Sequence, residues 1–521
     1  MAAPSKVVVI GAGLSGLSAA LWLRGAGCEV TVVDAADAPG GLVRTRELAP
    51  GHRFDTGATV LTMPELVAAP MAAVGISPAE TLRRLDLTQV DPTYVARFAD
   101  GTSLRVPFGL DNLVAEVSAT FGSSSGEDVR DLMGWLAELY DAEFDNFIDR
   151  NFGGPRSYLD GQLVTDLARL VRLGGVRALT PAVARFVKDE RLQRVFTFQA
   201  LYAGVPPRRA AAVYGVIGHM DIGLGVQYPA GGMGAIGEVM ADGLGESGAQ
   251  VLLGTRAESI VRRDGRVAAV GCRAADSSAI EIPADAVVAT APIASVADML
   301  GEHLPRGPRW RRRRYSPSAV VIHGVAPTSV TASWPGHHHT IDFGGAWHDT
   351  FTDLTRRPGR LMRDPSFLIT RPGRTAPHHF HADRDGGTTE SVSVLAPCPN
   401  LDVAPVAWDA IADAYVQECL DTLRERGYDG IDSVEVVGID HPGTWAAMGL
   451  PAGTPFSAAH SVAQTGPLRT PNKWPHQPDV ILAGAATIPG VGIPPVLVSG
   501  RLAAEHLVGA DAVGSALTTR S

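Results

Sequence analysis

Residues 6–41 read KVVVIGAGLSGLSAALWLRGAGCEVTVVDAADAPGG, and the fold is decided in this stretch. Val7, Val8, Val9 and Ile10 are a β-branched apolar run of the kind buried on both faces of a parallel sheet. The run passes directly into Gly11-Ala-Gly13-Leu14-Ser15-Gly16, and an apolar-periodic helix follows through Leu17, Ala20, Leu21 and Leu23. Gly25 and Gly27 close that helix, and a second strand over residues 29–33 ends on Asp34. Each position has a mechanical reason: Gly11 makes a tight turn, Gly13 lets the backbone approach a pyrophosphate, and Gly16 lets helix and strand pack closely. The helix N-terminus, at Leu14 and Ser15, offers phosphate its amides and the positive end of the dipole. Asp34 stands where a carboxylate accepts from both hydroxyls of an adenosine ribose. In a chain with 58 glycines the hexad alone says little; framed by strand, helix, strand and acid, it predicts a dinucleotide site.

Composition narrows the class. At 521 residues the chain exceeds one ordinary core, so two interleaved domains are expected. Hydrophobic residues at 45% with 19% charged describe a globular protein, and a formal charge of −10 argues against nucleic acid as the main partner. Cys28, Cys272, Cys398 and Cys419 are scattered without a CxxC pair, which predicts neither a disulfide framework nor zinc and suits a reduced, cytoplasmic protein. Lys6 runs at once into the first strand, so no secretion signal is expected, and no apolar run reaches the roughly 18 residues that cross a bilayer.

Further along, Phe54-Asp55-Thr56-Gly57-Ala58-Thr59 offers small residues where backbone could approach a flat ligand; a plain strand-turn-helix explains the same letters. Residues 86–109 read as β-rich, with a hairpin turning at Asp100-Gly101. Residues 110–222 read as mostly helical, with apolar stripes at Leu132, Leu136, Leu139, Phe144, Phe147 and at Leu163, Leu167, Leu170, Val171. Arg169, Arg172, Arg177, Arg185, Arg191 and Arg194 interleave with Leu and Val there, as a surface resting on anionic lipid would, or a solvated helix face. After Tyr228-Pro-Ala-Gly-Gly-Met233 a helix to Leu244 and short strands over residues 250–253, 258–262, 267–272 and 286–290 are expected. His337-His338-His339 and His378-His379-x-His381 lack a carboxylate or cysteine at ligand spacing, so no metal site is predicted. At the end, residues 480–494 make a buried strand and a glycine-rich turn, then a helix opening at a proline.

The glycine pair Gly40-Gly41 just beyond Asp34 suits another close approach to diphosphate and sugar, an arrangement that resembles the flavoprotein superfamily of amine oxidases and carotenoid desaturases. FAD is therefore the expected cofactor. Three further segments resemble the bacterial phytoene (carotenoid) desaturases. Residues 54–64 match F-D-T-G-P-T-V-L-T-M-P with Ala58 for the proline, and residues 228–233 match Y-P-x-G-G-M. Residues 484–494 match G-A-G-T-H-P-G-x-G-I-P with Ile488 for the histidine, so no acid-base role carries over there. The resemblance spans residues 6–508.

It implies an α/β fold: a Rossmann-like FAD-binding domain assembled from residues 1–75, 226–300 and 478–510. An inserted α+β substrate and membrane-associating domain would comprise 76–225 and 301–477, with 511–521 a tail. Beside the first-turn residues and Asp34, the cofactor set is expected to include Gly40, Gly41, Arg44 (two positions beyond Leu42, where the family has a basic residue), Gly57, Ala58 and Thr59. Ala257 would pair with adenine, and Gly484, Ala485, Gly492, Ile493 and Pro494 would face the flavin. The implied activity is FAD-dependent desaturation of phytoene toward lycopene, a lipid-dissolved polyene, on the cytoplasmic surface of the inner membrane, with quinone or dioxygen as electron acceptor. A C30 desaturase, a carotenoid ketolase or oxidase, or a flavin amine oxidase are the alternatives. No Ser-His-Asp order or HExxH appears, in keeping with chemistry centred on the cofactor. The proton acceptor is not readable; Asp149, His219, Asp221 and His460 are polar residues in the substrate stretches, each of which reads more readily as structural.

Overall fold

The computed structural model describes residues 3–143, 161–311, 313–382 and 386–518. Asp149, Phe144 and Phe147 lie outside them. The apolar run forms the central strand Lys6–Ile10 of a five-stranded parallel sheet, ordered Val480–Leu482, Ala286–Ala289, Lys6–Ile10, Glu29–Val33, Gln250–Leu252. Val8 registers with Val287 on one side and Thr31 on the other. The pleat sends alternate residues to opposite faces. Val7, Val9, Val30 and Val32 pack with helices Leu14–Gly25, Ala235–Glu246 and Ile493–Val508. Val8, Ile10 and Val33 pack toward an antiparallel sheet of Arg256–Arg263, Arg266–Arg273 and Ala279–Pro283 and the helix Ile293–Leu300. Both faces are covered, which is why these strands read as unbroken apolar runs.

A second, eight-stranded sheet draws strands from residues 94–106 and from residues 318–440. Its hairpin Tyr94–Phe98/Ser103–Val106 turns at Asp100-Gly101 as expected, the Asp100 carboxylate accepting from Thr102 N at 2.9 Å. Tyr94–Phe98 then pairs in parallel with His339–Phe343. One face of this sheet packs on the helix Trp408–Glu425; the other meets the helical region, where Leu132, Leu136 and Leu139 are buried. On Gly161–Leu173, Leu170 is buried but Leu167 and Val171 are 45% and 51% exposed and face outward; the Leu163 side chain lies outside the described ones. The arginine series divides too. Arg194 is buried, held by Glu190 and the Gly344 carbonyl, and Arg191 pairs with Asp189 and Asp100. The stretch expected as a tail is helical over Ala510–Thr518, and its Val513 is buried in the main core. All four cysteines are free and buried.

Candidate FAD site and the channel beside it

The two glycine turns stack on each other. Gly11 N donates to the Val33 carbonyl, Gly40 N donates to the Ala12 carbonyl, and Gly13 bridges Gly40. A Cβ on Gly11 would lie 2.1 Å from Thr290 Oγ1, and one on Gly16 would lie 1.9 Å from the Gly11 carbonyl oxygen. These two glycines are demanded by the protein's own packing. Gly13 differs: a Cβ there would meet nothing nearer than Gly41 Cα at 3.7 Å. Its bareness leaves a cradle for a ligand's diphosphate. Ser15, 5% exposed, has a buried hydroxyl without a partner among the described residues, at the same helix N-terminus. Asp34 accepts from Ala12 N through Oδ2 and from Ala36 N through Oδ1, each at 2.7 Å. A carboxylate has about four lone-pair sites, so acceptors remain for a ribose. The set fits a bound dinucleotide.

The other expected positions gather around this turn. Gly57 sits against the Leu42 carbonyl, and Gly57 and Ala58 are exposed. The Thr59 hydroxyl is 2.8 Å from His339 Nε2. Thr255 N donates to the Asp34 carbonyl at 2.7 Å, which brings the start of the Ala257 strand to the acid. Gly484 lies 4.0 Å from Ser15 and Thr290 by its virtual Cβ. Gly492, exposed at φ 119°, precedes the buried Ile493 and Pro494 that open the last helix. Ala485 gives its carbonyl to Arg469. Arg44 Nη2 donates to the exposed Asp37 carboxylate at 2.8 Å.

Several residues that shape this site are given no role by the sequence, although Asp55 and Tyr228 lie in the segments that resemble the family. Asp55 is a buried carboxylate joining Tyr228, Thr45 and the Met233 amide. Arg469, fully buried, donates to the carbonyls of Thr487, Ala485 and Ala458, and so holds the C-terminal turn from behind. Burial lowers its pKa to about 10. Asn472 and Ser499 bind the Ile488 carbonyl from two further sides. The two histidine runs, remote in sequence, converge: His338 and His379 both stand edge-on to Tyr228, and His378 and His379 both reach the Ala230 carbonyl. Burial drives the His339 and His379 pKa values to about 4, leaving neutral rings that hydrogen-bond.

Between the helical region and the eight-stranded sheet lies an apolar cavity of about 90 Å³. Phe198, Tyr202, Ile341, Phe343, Trp347 and Phe367 are among its walls. The next residue after Tyr202, Ala203, accepts from His460 N at 2.7 Å, and the His460 ring accepts from Val491 N at 3.3 Å. The cavity wall is thereby tied to the turn that opens the last helix.

The family model for flavin-containing amine oxidoreductases matches residues 14–508. A phytoene dehydrogenase of Streptomyces griseus is 45% identical, over 96% of this chain and 95% of its own. This chain belongs to the phytoene desaturase family of flavin-containing amine oxidoreductases. It is an oxidoreductase, and FAD is its cofactor. A zeta-carotene-forming phytoene desaturase of Myxococcus xanthus is 29% identical over 99% and 96% of the two chains. Among solved structures, an oxidoreductase of Methanosarcina mazei superposes with a TM-score of 0.59 at 16% identity, covering 95% of this chain and 99% of the other, which shows the shared fold. No described helix is long and apolar enough to cross a membrane.

Proposed function

We propose that this protein desaturates phytoene toward lycopene, with FAD held by Gly11–Gly16, Asp34, Gly40-Gly41, the Gly57–Thr59 turn and the C-terminal turn. The observation that carries this beyond family membership is the cavity, walled almost wholly by aromatic and aliphatic side chains. A polyene hydrocarbon offers no group for hydrogen bonding or nucleophilic attack, so such walls are what its recognition requires. FAD, when bound, supplies an acceptor for hydride from an allylic carbon. The chain's part is to align the polyene, exclude water and shelter positive charge, for which aromatic faces such as Phe343 and Trp347 are suited. Residues 1–75, 226–300 and 478–510 serve the cofactor; 76–225 and 301–477 serve the substrate.

The protein rests on one leaflet of the cytoplasmic membrane, taking phytoene from lipid and passing electrons to quinone or dioxygen. Exposed Leu167, Val171 and Val176, beside Arg169, Arg172 and Arg177, support this orientation. Incubation of FAD-loaded protein with phytoene in liposomes tests the activity. A rising polyene absorption series is expected; phytoene left unchanged, with an amine oxidised instead, overturns the reading.

A further inference from the structure

Four of the polar residues in the substrate stretches differ in their surroundings. Asp149 lies outside the described residues. The His460 ring is engaged at both nitrogens, Nδ1 with the Tyr214 hydroxyl at 3.0 Å and Nε2 with Val491 N. The His219 ring is 5.3 Å from Tyr140, and burial holds its pKa below the ordinary imidazole value, which weakens it as a base. Asp221 is different. It belongs to Met220–Leu224, a single π-helical turn following Val216–His219; such turns recur at functional sites. Its carboxylate has neither a hydrogen bond nor an ion pair among the described residues, and burial alone acts on it. Asp221 is half-buried, between the buried Met220 and Ile222, and Ile222 belongs to the same hydrophobic cluster as Tyr94, Phe198 and Phe343. Among the described residues, the titratable groups near enough to feel its charge are Tyr94 and Tyr202, both kept neutral by burial. Phe198 stands edge-on to both, at 5.5 Å and 5.9 Å, and Phe198 and Tyr202 are walls of the apolar cavity.

We propose that Asp221 is the proton acceptor of the desaturation, its carboxylate meeting the polyene at the Tyr202 end of the cavity. The proposal rests on the desaturase reading. Once an allylic carbon has lost hydride to FAD, the substrate is a delocalised cation. A C–H bond on the neighbouring carbon then breaks; its electron pair closes the new double bond, and its proton goes to a carboxylate oxygen of Asp221. Before that transfer, an unpaired carboxylate beside the apolar wall attracts the cation more strongly than one in bulk water. Burial raises the Asp221 pKa to about 7, a basicity matched to accepting a proton near neutrality.

Asp221→Asn keeps the shape and removes the proton site, and Asp221→Glu restores a carboxylate. FAD-loaded D221N should hold wild-type amounts of flavin while polyene formation from phytoene liposomes falls roughly 100-fold or more, with partial recovery in D221E. In the cofactor-free protein, the infrared stretch of a protonated carboxyl, wild type minus D221N, should vanish as pH rises through about 7. Wild-type rates in D221N, or a difference spectrum without that band, overturn the proposal alone. Wild-type protein that forms no polyene overturns the desaturase reading and this proposal with it.

Discussion

The Tyr228 hydroxyl donates to Asp55 Oδ2 at 2.8 Å, joining residues 173 apart in sequence. The other carboxylate oxygen accepts from Thr45 Oγ1 at 2.6 Å and Met233 N at 2.9 Å. One buried anion thus fastens the strand His52–Asp55, and the Gly57–Thr59 turn after it, to the Tyr228–Met233 turn. Tyr228→Phe removes one hydrogen bond to a charged acceptor and should cost about 1.5–3 kcal/mol. Asp55→Asn turns an amide N–H toward donors and should cost more. Denaturant titration checks the order, and D55N as stable as Y228F would refute it.

Gly13 and Gly16 should fail differently. Gly16→Ala puts a methyl 1.9 Å from the Gly11 carbonyl oxygen, so the cofactor-free protein itself should melt earlier. Gly13→Ala meets only an ordinary contact at 3.7 Å, so the cofactor-free protein should melt normally and lose affinity for FAD. Melting curves with and without FAD separate the two; G13A that binds FAD normally would place the diphosphate elsewhere.

Gly490 has φ 148°, and a Cβ there would lie 2.2 Å from His460 Cε1. Gly490→Ala should push the imidazole off Val491 N and cost about 1–3 kcal/mol. His460→Ala leaves that amide and the Tyr214 hydroxyl short of a partner, at a similar cost. The double variant removes the clash, so its loss should be smaller than the sum of the two. Simple additivity would mean that the imidazole can swing away without cost.

Asp221 should make stability fall with rising pH. Its folded pKa, about 7, is above the unfolded value, so the folded state holds its proton longer. Below the unfolded pKa both states are protonated and burial costs nothing extra; as pH rises through about 7 the full cost of a buried charge appears. D221N should therefore gain a melting advantage over wild type that grows across this window and then levels. An advantage confined to acid pH would contradict the burial assigned here.

Leu167→Glu with Val171→Glu should abolish flotation with anionic vesicles while leaving FAD content unchanged, because both side chains are largely exposed. Undiminished flotation would move the membrane contact to another face.

The strand-turn-helix over residues 6–34 was legible because its causes are local. A β-branched run, three glycines at fixed offsets and an acid at a strand end act on their immediate neighbours. The family segments at 54–64, 228–233 and 484–494 also stood out as letters, but not the reason for them. That Asp55 exists to bind Tyr228 appears only when the chain folds back. The arginine series shows the same limit from the other side: Arg169 and Arg194 have similar apolar neighbours in sequence, yet one is part-exposed and the other is buried on Glu190.

By itself the sequence determined the parallel α/β sheet, the dinucleotide cradle and the family, since side-chain period, glycine spacing and motif are properties of short stretches. Tertiary structure alone decided which polar groups are spent and which are left over. Arg469 and His460 are consumed in holding the C-terminal turn, whereas the half-buried Asp221 has no partner among the described residues. A buried polar group's role follows from what surrounds it in three dimensions, because burial costs free energy unless a partner compensates, and chain distance carries no information about that partner.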